Sequence, residues 1–399
     1  MTAAAGPVLC VLIDAFRHDY LTETRAPNLA RLATEGVGVP LRPILGYSDA
    51  IRAVIFTGRH PDEHGYWMEY CFRPEASPWR GLDRLGALDR LPSDLALRAM
   101  KLAASMTVMR PLARRRGVPH LDLRHVPFRG LGCLGLTLER PMTAPGALGV
   151  PTIFDHCAGS GRPWAYLDSS KEPRGQLLRR IERLPDDIGL IFVYLHQVDM
   201  VSHLRGIESE RFWRCVRRTD AFVQQLVDRV RDRFPAVSPL VFSDHGMSVI
   251  RQQTGLPELG RHPGFPSEFF FALDATMVRL WYRNDDARLR LQLRELVERR
   301  LPGRFLTERD RTELHLRFGG RLYGDDIYLV PPGTAIFPNF HSYIRPKAMH
   351  AYHPDDPDQL GIFIGPAAAA GRVSDPARMV EIAPLCLELM GIQMPSVEA

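Results

Sequence analysis

Five separated segments of the chain carry side chains able to do chemistry together. Asp14 stands in Ile13-Asp14-Ala15-Phe16, and Ser48 begins Ser48-Asp49-Ala50-Ile51-Arg52. Asp199 and His203 are four residues apart, Asp244 and His245 are adjacent and followed by Gly246, and His350 lies in Met349-His350-Ala351-Tyr352. On a helix, positions i and i+4 share a face, so Asp199 and His203 can share one cation. Adjacent Asp and His ordinarily point apart. Both reach one ion only from an irregular loop, which Gly246 would help to make. A Ser just ahead of an apolar helical stretch is by default an N-cap, but a helix N-terminus also lowers the cost of an alkoxide and of a bound phosphate. The set is one of metal-ligand types around a hydroxyl nucleophile.

These segments sit beside predicted strands. Val8 to Ile13 is a continuous β-favouring run, as expected of a strand buried on both faces of a parallel sheet, and residues 188–195, 240–242 and 361–364 read alike. Asp14, the Asp199/His203 pair and Asp244/His245 follow the first three runs, and His350 precedes the fourth. Open α/β sheets form their sites outside the carboxyl ends of the strands. Amphipathic helices are predicted over residues 26–36, with Pro27 near the start and Gly36 at the end, and 209–234. Two stretches interrupt this rhythm: 66–148, rich in Arg, Leu, Gly and Pro, and 255–343, with a charged helix near 285–300. We read both as cap insertions over a catalytic α/β core made of residues 1–65, 149–254 and 344–399.

Composition narrows the function. The 399 residues are 45% hydrophobic and 24% charged, which excludes a disordered chain, and the net charge of +5 suits a small anionic substrate more than a nucleic-acid polymer. No run approaches the ~20 apolar residues of a membrane helix. The six cysteines are scattered without a Cys-x-x-Cys pair, so a disulfide framework is not expected and a reducing cytoplasm is.

The ordered motifs resemble the alkaline phosphatase superfamily and, within it, the nucleotide pyrophosphatase/phosphodiesterase branch. The resemblance rests on Asp14 after the first strand, on Ala26-Pro27-Asn28-Leu29-Ala30-Arg31-Leu32-Ala33-Thr34-Glu35-Gly36-Val37, and on Ser48 nine residues before Thr57-Gly58. It continues through Asp199-x-x-x-His203, Asp244-His245-Gly246 and the late His350-Ala351-Tyr352. It implies an alkaline phosphatase-like three-layer sandwich with a mixed, mostly parallel sheet. It further implies that Asp14, Asp244, His245 and the Ser48 oxygen bind one divalent ion, and that Asp199, His203 and His350 bind another. Mixed carboxylate and imidazole ligands suit Zn²⁺ or Mn²⁺ better than Mg²⁺. The reaction implied is hydrolysis of a phosphodiester or nucleotide-type pyrophosphate through a phosphoseryl intermediate on Ser48, with phosphomonoester hydrolysis or phosphoryl transfer to an alcohol as alternatives.

Two positions depart from that pattern. Ile51 stands where the branch usually has Asn, and Arg52, on the same helix face as Ser48, could grip a phosphoryl oxygen. Ala351 stands where the family has Gly. Ser48 with Arg52 also resembles the sulfatase signature, whose Cys or Ser becomes formylglycine. Sulfatases, however, carry paired Asp after the first strand, where this chain has Ala15, and do not use the second ligand set. A non-catalytic binding module would show eroded ligands, and none is missing. His64 reads as structural, while His196, His341 and His353 read as solvated or packing residues that could touch substrate. Arg110, Arg114, Arg115 and Arg116, after the apolar stretch 95–109, read as the basic end of a cap helix in preference to a lipid-facing element.

Overall fold

Every side chain of the strand Val8–Ile13 (β1) is buried, and the two faces feed different cores. Leu9, Val11 and Ile13 enter one hydrophobic cluster, while Val8, Cys10 and Leu12 enter another. Leu190–Leu195 (β4) divides in the same way, with Ile191, Val193 and Leu195 on one side and Leu190, Phe192 and Tyr194 on the other. A strand with no solvent-facing side needs no polar alternation, which is why both read as unbroken apolar runs. The computed structural model describes residues 6–90, 125–342 and 344–393, with isolated positions between 91 and 124. Arg110, Arg114, Arg115, Arg116 and most of the apolar stretch before them lie outside the described residues.

The central sheet has seven strands. The others are Val37–Arg42 (β2), Trp164–Asp168 (β3), Ser238–Phe242 (β5), Gly361–Gly365 (β6) and Ala377–Arg378 (β7), and the order is β7-β2-β6-β5-β1-β4-β3. Only β6 runs antiparallel to its neighbours. Helices Pro27–Glu35 (α1), Arg174–Ile181 (α4), Gln197–Arg205 (α5) and Glu210–Arg233 (α6) cover one face; Ser48–Thr57 (α2), Ile153–Gly159 (α3) and Ile382–Leu389 (α7) cover the other. The result is a three-layer sandwich with a mixed, mostly parallel sheet. In α6, Phe212, Val216, Val223, Leu226, Val227 and Val230 are buried along one stripe. Each such side chain contributes roughly 1.5–3 kcal/mol, so this stripe anchors the layer.

Residues 66–148 and 255–343 pack on each other. The short strands Tyr70–Phe72 and Leu134–Leu136 pair antiparallel, and the later segment builds a four-stranded antiparallel sheet with the helix Ala287–Arg300. One hydrophobic cluster takes Tyr70, Trp79, Phe128 and Leu134 from the first segment and Phe270, Phe271 and Trp281 from the second. The two segments therefore share one core. No helix among the described residues is long and apolar enough to cross a membrane.

Candidate metal centre and nucleophile

The carboxyl ends of β1, β4 and β5 open on one edge of the sheet. Because β6 runs the other way, the residues preceding it reach that same edge. The Gly246 amide donates to the Gln359 carbonyl (2.7 Å), and Ala348–Met349 pairs with Ser248–Val249, which sets His350 beside Asp244 and His245. Gly246 is not in a left-handed conformation. It is glycine for space, since a Cβ there would stand 2.0 Å from the Asp358 carbonyl oxygen and 2.6 Å from Arg17 Cγ. Ala351, in contrast, has φ of 65°, and Ala15, next to Asp14, has φ of 60°. The loop after His350 therefore keeps the conformation that favours glycine, with the Cβ strain of Ala351 in its place.

Ser48 is the first residue of α2, and no side chain caps this helix. Its Oγ lies 3.0 Å from His245 Nε2 and 3.4 Å from Asp14 Oδ1. His245 Nε2 is also 3.3 Å from Asp14 Oδ1 and 3.5 Å from Asp244 Oδ2. Beside this group, His203 Nε2 is 3.0 Å and His350 Nε2 3.8 Å from Asp199 Oδ1. The His245 and His350 rings stack with centroids 3.7 Å apart.

Tautomers follow from the partners on the far side of two rings. His203 Nδ1 meets the Ala348 carbonyl at 2.7 Å, and His245 Nδ1 meets the Gly246 carbonyl at 2.8 Å. A carbonyl only accepts, so each Nδ1 carries a proton and Nε2 is the nitrogen left for a cation. Each Nε2 faces a carboxylate, His203 on Asp199 and His245 on Asp14. Asp199 Oδ1, Asp244 Oδ2 and His350 Nδ1 are buried without a hydrogen-bond partner among the described residues. Such orphaned acceptors are costly unless a cation takes them. Divalent ions fit this donor set.

The electrostatics agree. Burial, then the neighbouring Asp14 carboxylate, push Asp244 up to about 7. For His245 burial works downward, but Asp244 and Asp14 outweigh it and raise the ring to about 10. His350 is held well below its ordinary value by burial and by His245 and His203. Asp244 and His350 report like charges crowded together, whereas His245 is drawn to its charged form by two carboxylates, and a cation between those carboxylates would take over that role.

Two groups of donor atoms lie within 4.8 Å of one another: Asp199, His203 and His350; and Asp14, Asp199 and His245. Asp199 thus stands between the two expected ion positions. Asp244 contributes less directly, its Oδ1 accepting from the Ala15 amide (3.1 Å) while Oδ2 faces His245. Arg52 is already engaged. It pairs with Asp49, lies 4.8 Å over the Tyr194 ring, and is also tied to Tyr166. Its Nε is buried without a partner, and its charge acts on Asp14.

Sequence reasoning missed Tyr194, whose hydroxyl donates to Asp14 Oδ2, because the β4 run read as uniformly apolar. The available signal was that a buried Tyr hydroxyl needs a partner. Asp49 and Tyr166 were missed for want of any spacing to tie them to Arg52. Among the other histidines, His64 is buried and depressed to about 4 by burial, its Nδ1 accepting from the Tyr66 amide. His196 Nδ1 contacts Ser169 Oγ at 3.0 Å, and His353 Nδ1 lies 3.5 Å from Asp355. His341 Nε2 meets Asp274 Oδ1 at 2.8 Å, and its ring stacks on Tyr47, the residue before Ser48.

The family model for type I phosphodiesterase / nucleotide pyrophosphatase matches residues 8–81 and 156–317. Among solved structures, murine ectonucleotide pyrophosphatase / phosphodiesterase 5 superposes with a TM-score of 0.66 at 15% identity, covering 98% of this chain and 96% of that one. An inactive variant of the same murine protein in complex with AMP gives the same values. At that identity the likeness speaks for the fold. No curated protein matches the sequence significantly.

Proposed function

This chain belongs to the type I phosphodiesterase / nucleotide pyrophosphatase family, a branch of the alkaline phosphatase superfamily, and we propose that it cleaves a phosphodiester or nucleotide-type pyrophosphate through a phosphoserine on Ser48. Family membership makes it a phosphoric ester hydrolase. The observation that carries the finer reading is the gathering of imidazole nitrogens and carboxylate oxygens beside the Ser48 hydroxyl. Asp14, Asp244, His245 and Ser48 Oγ would hold one divalent ion, and Asp199, His203 and His350 the other, with Zn²⁺ the best match to the donors and Mn²⁺ next. When bound, the ions supply the positive charge that lowers the serine pKa and neutralises non-bridging phosphoryl oxygens.

The chain's own part is positioning. The uncapped first turn of α2 leaves amide N–H groups for a phosphoryl oxygen, next to the hydroxyl that attacks phosphorus. Bond formation between Ser48 Oγ and phosphorus expels the leaving alcohol or phosphate. Water then cleaves the phosphoserine and restores the hydroxyl. Arg52, braced by Asp49, Tyr166 and Tyr194, adds a fixed charge beside Asp14 that would favour a dianion, which keeps phosphomonoester hydrolysis as the second reading. The murine protein solved with AMP supports a nucleotide-type substrate over a nucleic-acid polymer. A reducing cytoplasm remains our proposal for the chain's location, resting on six cysteines scattered without a Cys-x-x-Cys pair.

The deciding experiment assays aryl phosphodiester and phosphomonoester substrates with Zn²⁺ and Mn²⁺ on wild type, Ser48→Ala and Arg52→Ala. The reading predicts metal-dependent diester cleavage and a loss of at least about 10⁴-fold in Ser48→Ala with metal content retained. Arg52→Ala should slow the monoester more than the diester. Mass spectrometry of the Ser48 peptide should show phosphate trapped on serine; formylglycine there would replace this reading with a sulfatase.

A further inference from the structure

Behind the second ligand set lies an open groove of about 800 Å³ that no part of the proposed reaction uses. Its walls are the end of α5 with the turn into α6, the segment around Val249–Gln253, and residues 345–347. Arg205, Arg251, Arg345 and Lys347 all line it and are all exposed, and Glu208 is the single carboxylate among the lining residues. None of these four cations makes an ion pair among the described residues. Other exposed arginines, Arg183, Arg288 and Arg317 included, also lack an ion pair among the described residues, but they do not share a cavity with three further cations. Four unpaired cations around one cavity, against a single carboxylate, make a local field that favours an anion.

We propose that this groove binds a small molecule carrying two or more phosphate groups. Four cations less Glu208 leave a net charge of +3, which one phosphate dianion would not meet, and the volume falls within the range of small-ligand pockets. Gln253, in the wall, donates through Nε2 to the Pro346 carbonyl at 2.6 Å and so ties two walls of the groove together. The 24-residue helix α6 begins at this rim, with Ser209 as its N-cap, and adds its positive end. The groove is also wired to the metal site. The Lys347 amide donates to the His203 carbonyl (2.8 Å), and His203 Nδ1 is fixed by the next residue, Ala348. The same phosphate chemistry occurs on soluble metabolites and on lipid headgroups.

The test uses the metal-loaded full chain and two probes, fructose 1,6-bisphosphate in solution and phosphatidylcholine vesicles containing phosphatidylinositol 4,5-bisphosphate. Binding is measured by calorimetry or co-sedimentation, and hydrogen exchange maps the contact. Protection is expected at residues 205–209, 249–253 and 345–347. Arg251→Ala/Arg345→Ala/Lys347→Ala should weaken binding about tenfold or more with aryl diester turnover retained. Arg183→Ala/Arg288→Ala/Arg317→Ala, an equal loss of charge elsewhere, should leave it nearly unchanged. Binding of the soluble probe assigns a metabolite site, and binding of vesicles alone assigns a headgroup site. Failure to bind either probe, or an equal loss in the two triple variants, overturns the proposal.

Discussion

The molecule holds two buried polar clusters, and they are built on opposite principles. In segment 255–343, Asp274 is fully buried and receives Arg279 through Nε at 2.7 Å and Nη2 at 3.2 Å, with His341 Nε2 at 2.8 Å. Arg279 also donates through Nη1 to the Tyr70 carbonyl (3.0 Å), which ties segment 66–148 to segment 255–343. At the sheet edge, Asp14, Asp199 and Asp244 crowd around three imidazoles, and no arginine among the described residues pairs with them. The first cluster closes its own hydrogen bonds and charge; the second leaves acceptors open. Closed clusters hold structure, and open ones of this kind wait for cations.

That contrast can be broken by mutation. Asp274→Ala strands a buried guanidinium, and urea unfolding should show a loss of about 3–5 kcal/mol. Asp244→Asn should leave the metal-stripped chain as stable or more so, because it removes a repelling carboxylate, while sharply reducing the metal content measured by elemental analysis. If both variants lose the same stability without metal, the two clusters do not differ in kind.

Chelation sharpens the comparison next. Removing divalent ions should abolish diester hydrolysis and lower the free energy of unfolding by about 3 kcal/mol for each site held at 100 times its Kd, seen as a drop in Tm. A Tm indifferent to chelator and to added Zn²⁺ would contradict the open cluster's assigned purpose.

Acid titration probes the closed cluster. Burial works against the Asp274 charge, but Arg279 and His341 outweigh it and hold the carboxyl at about 2, below the ordinary 3.8. A depressed carboxylate contributes stability that is full above the unfolded value and is lost as pH falls through the folded one. About 2 kcal/mol should therefore disappear between pH 4 and 2, and Asp274→Asn should flatten that part of the stability curve. The smallest effect is expected at Ala351, whose replacement by glycine should relieve left-handed strain and change stability by less than about 1 kcal/mol, since the lost methyl is itself buried.

Much of the architecture could be read from the chain. β1, β4, β5 and β6 announce themselves as short apolar runs because strands covered on both faces carry no polar alternation, and α6 shows its stripe because one face meets solvent. The positions of Asp14, Asp244, His245 and His350 next to those runs followed from where parallel sheets open their sites. The reason for Gly246 did not: sequence pointed to an unusual backbone, whereas the close approach of Asp358 and Arg17 is what excludes a side chain. Nor did the engagement of Arg52, whose helix position was legible but whose partners Tyr166 and Tyr194 come from β3 and β4.

The sequence by itself thus determined the types of ligand, their order and the strands that end beside them, since periodicity and composition are local properties. Tertiary structure alone decided that Asp199 stands between the two donor groups, that Tyr194 holds Asp14, and that four cations share one groove with a single carboxylate. These are matters of distance between segments far apart in the chain. Only the packing of the layers sets such distances.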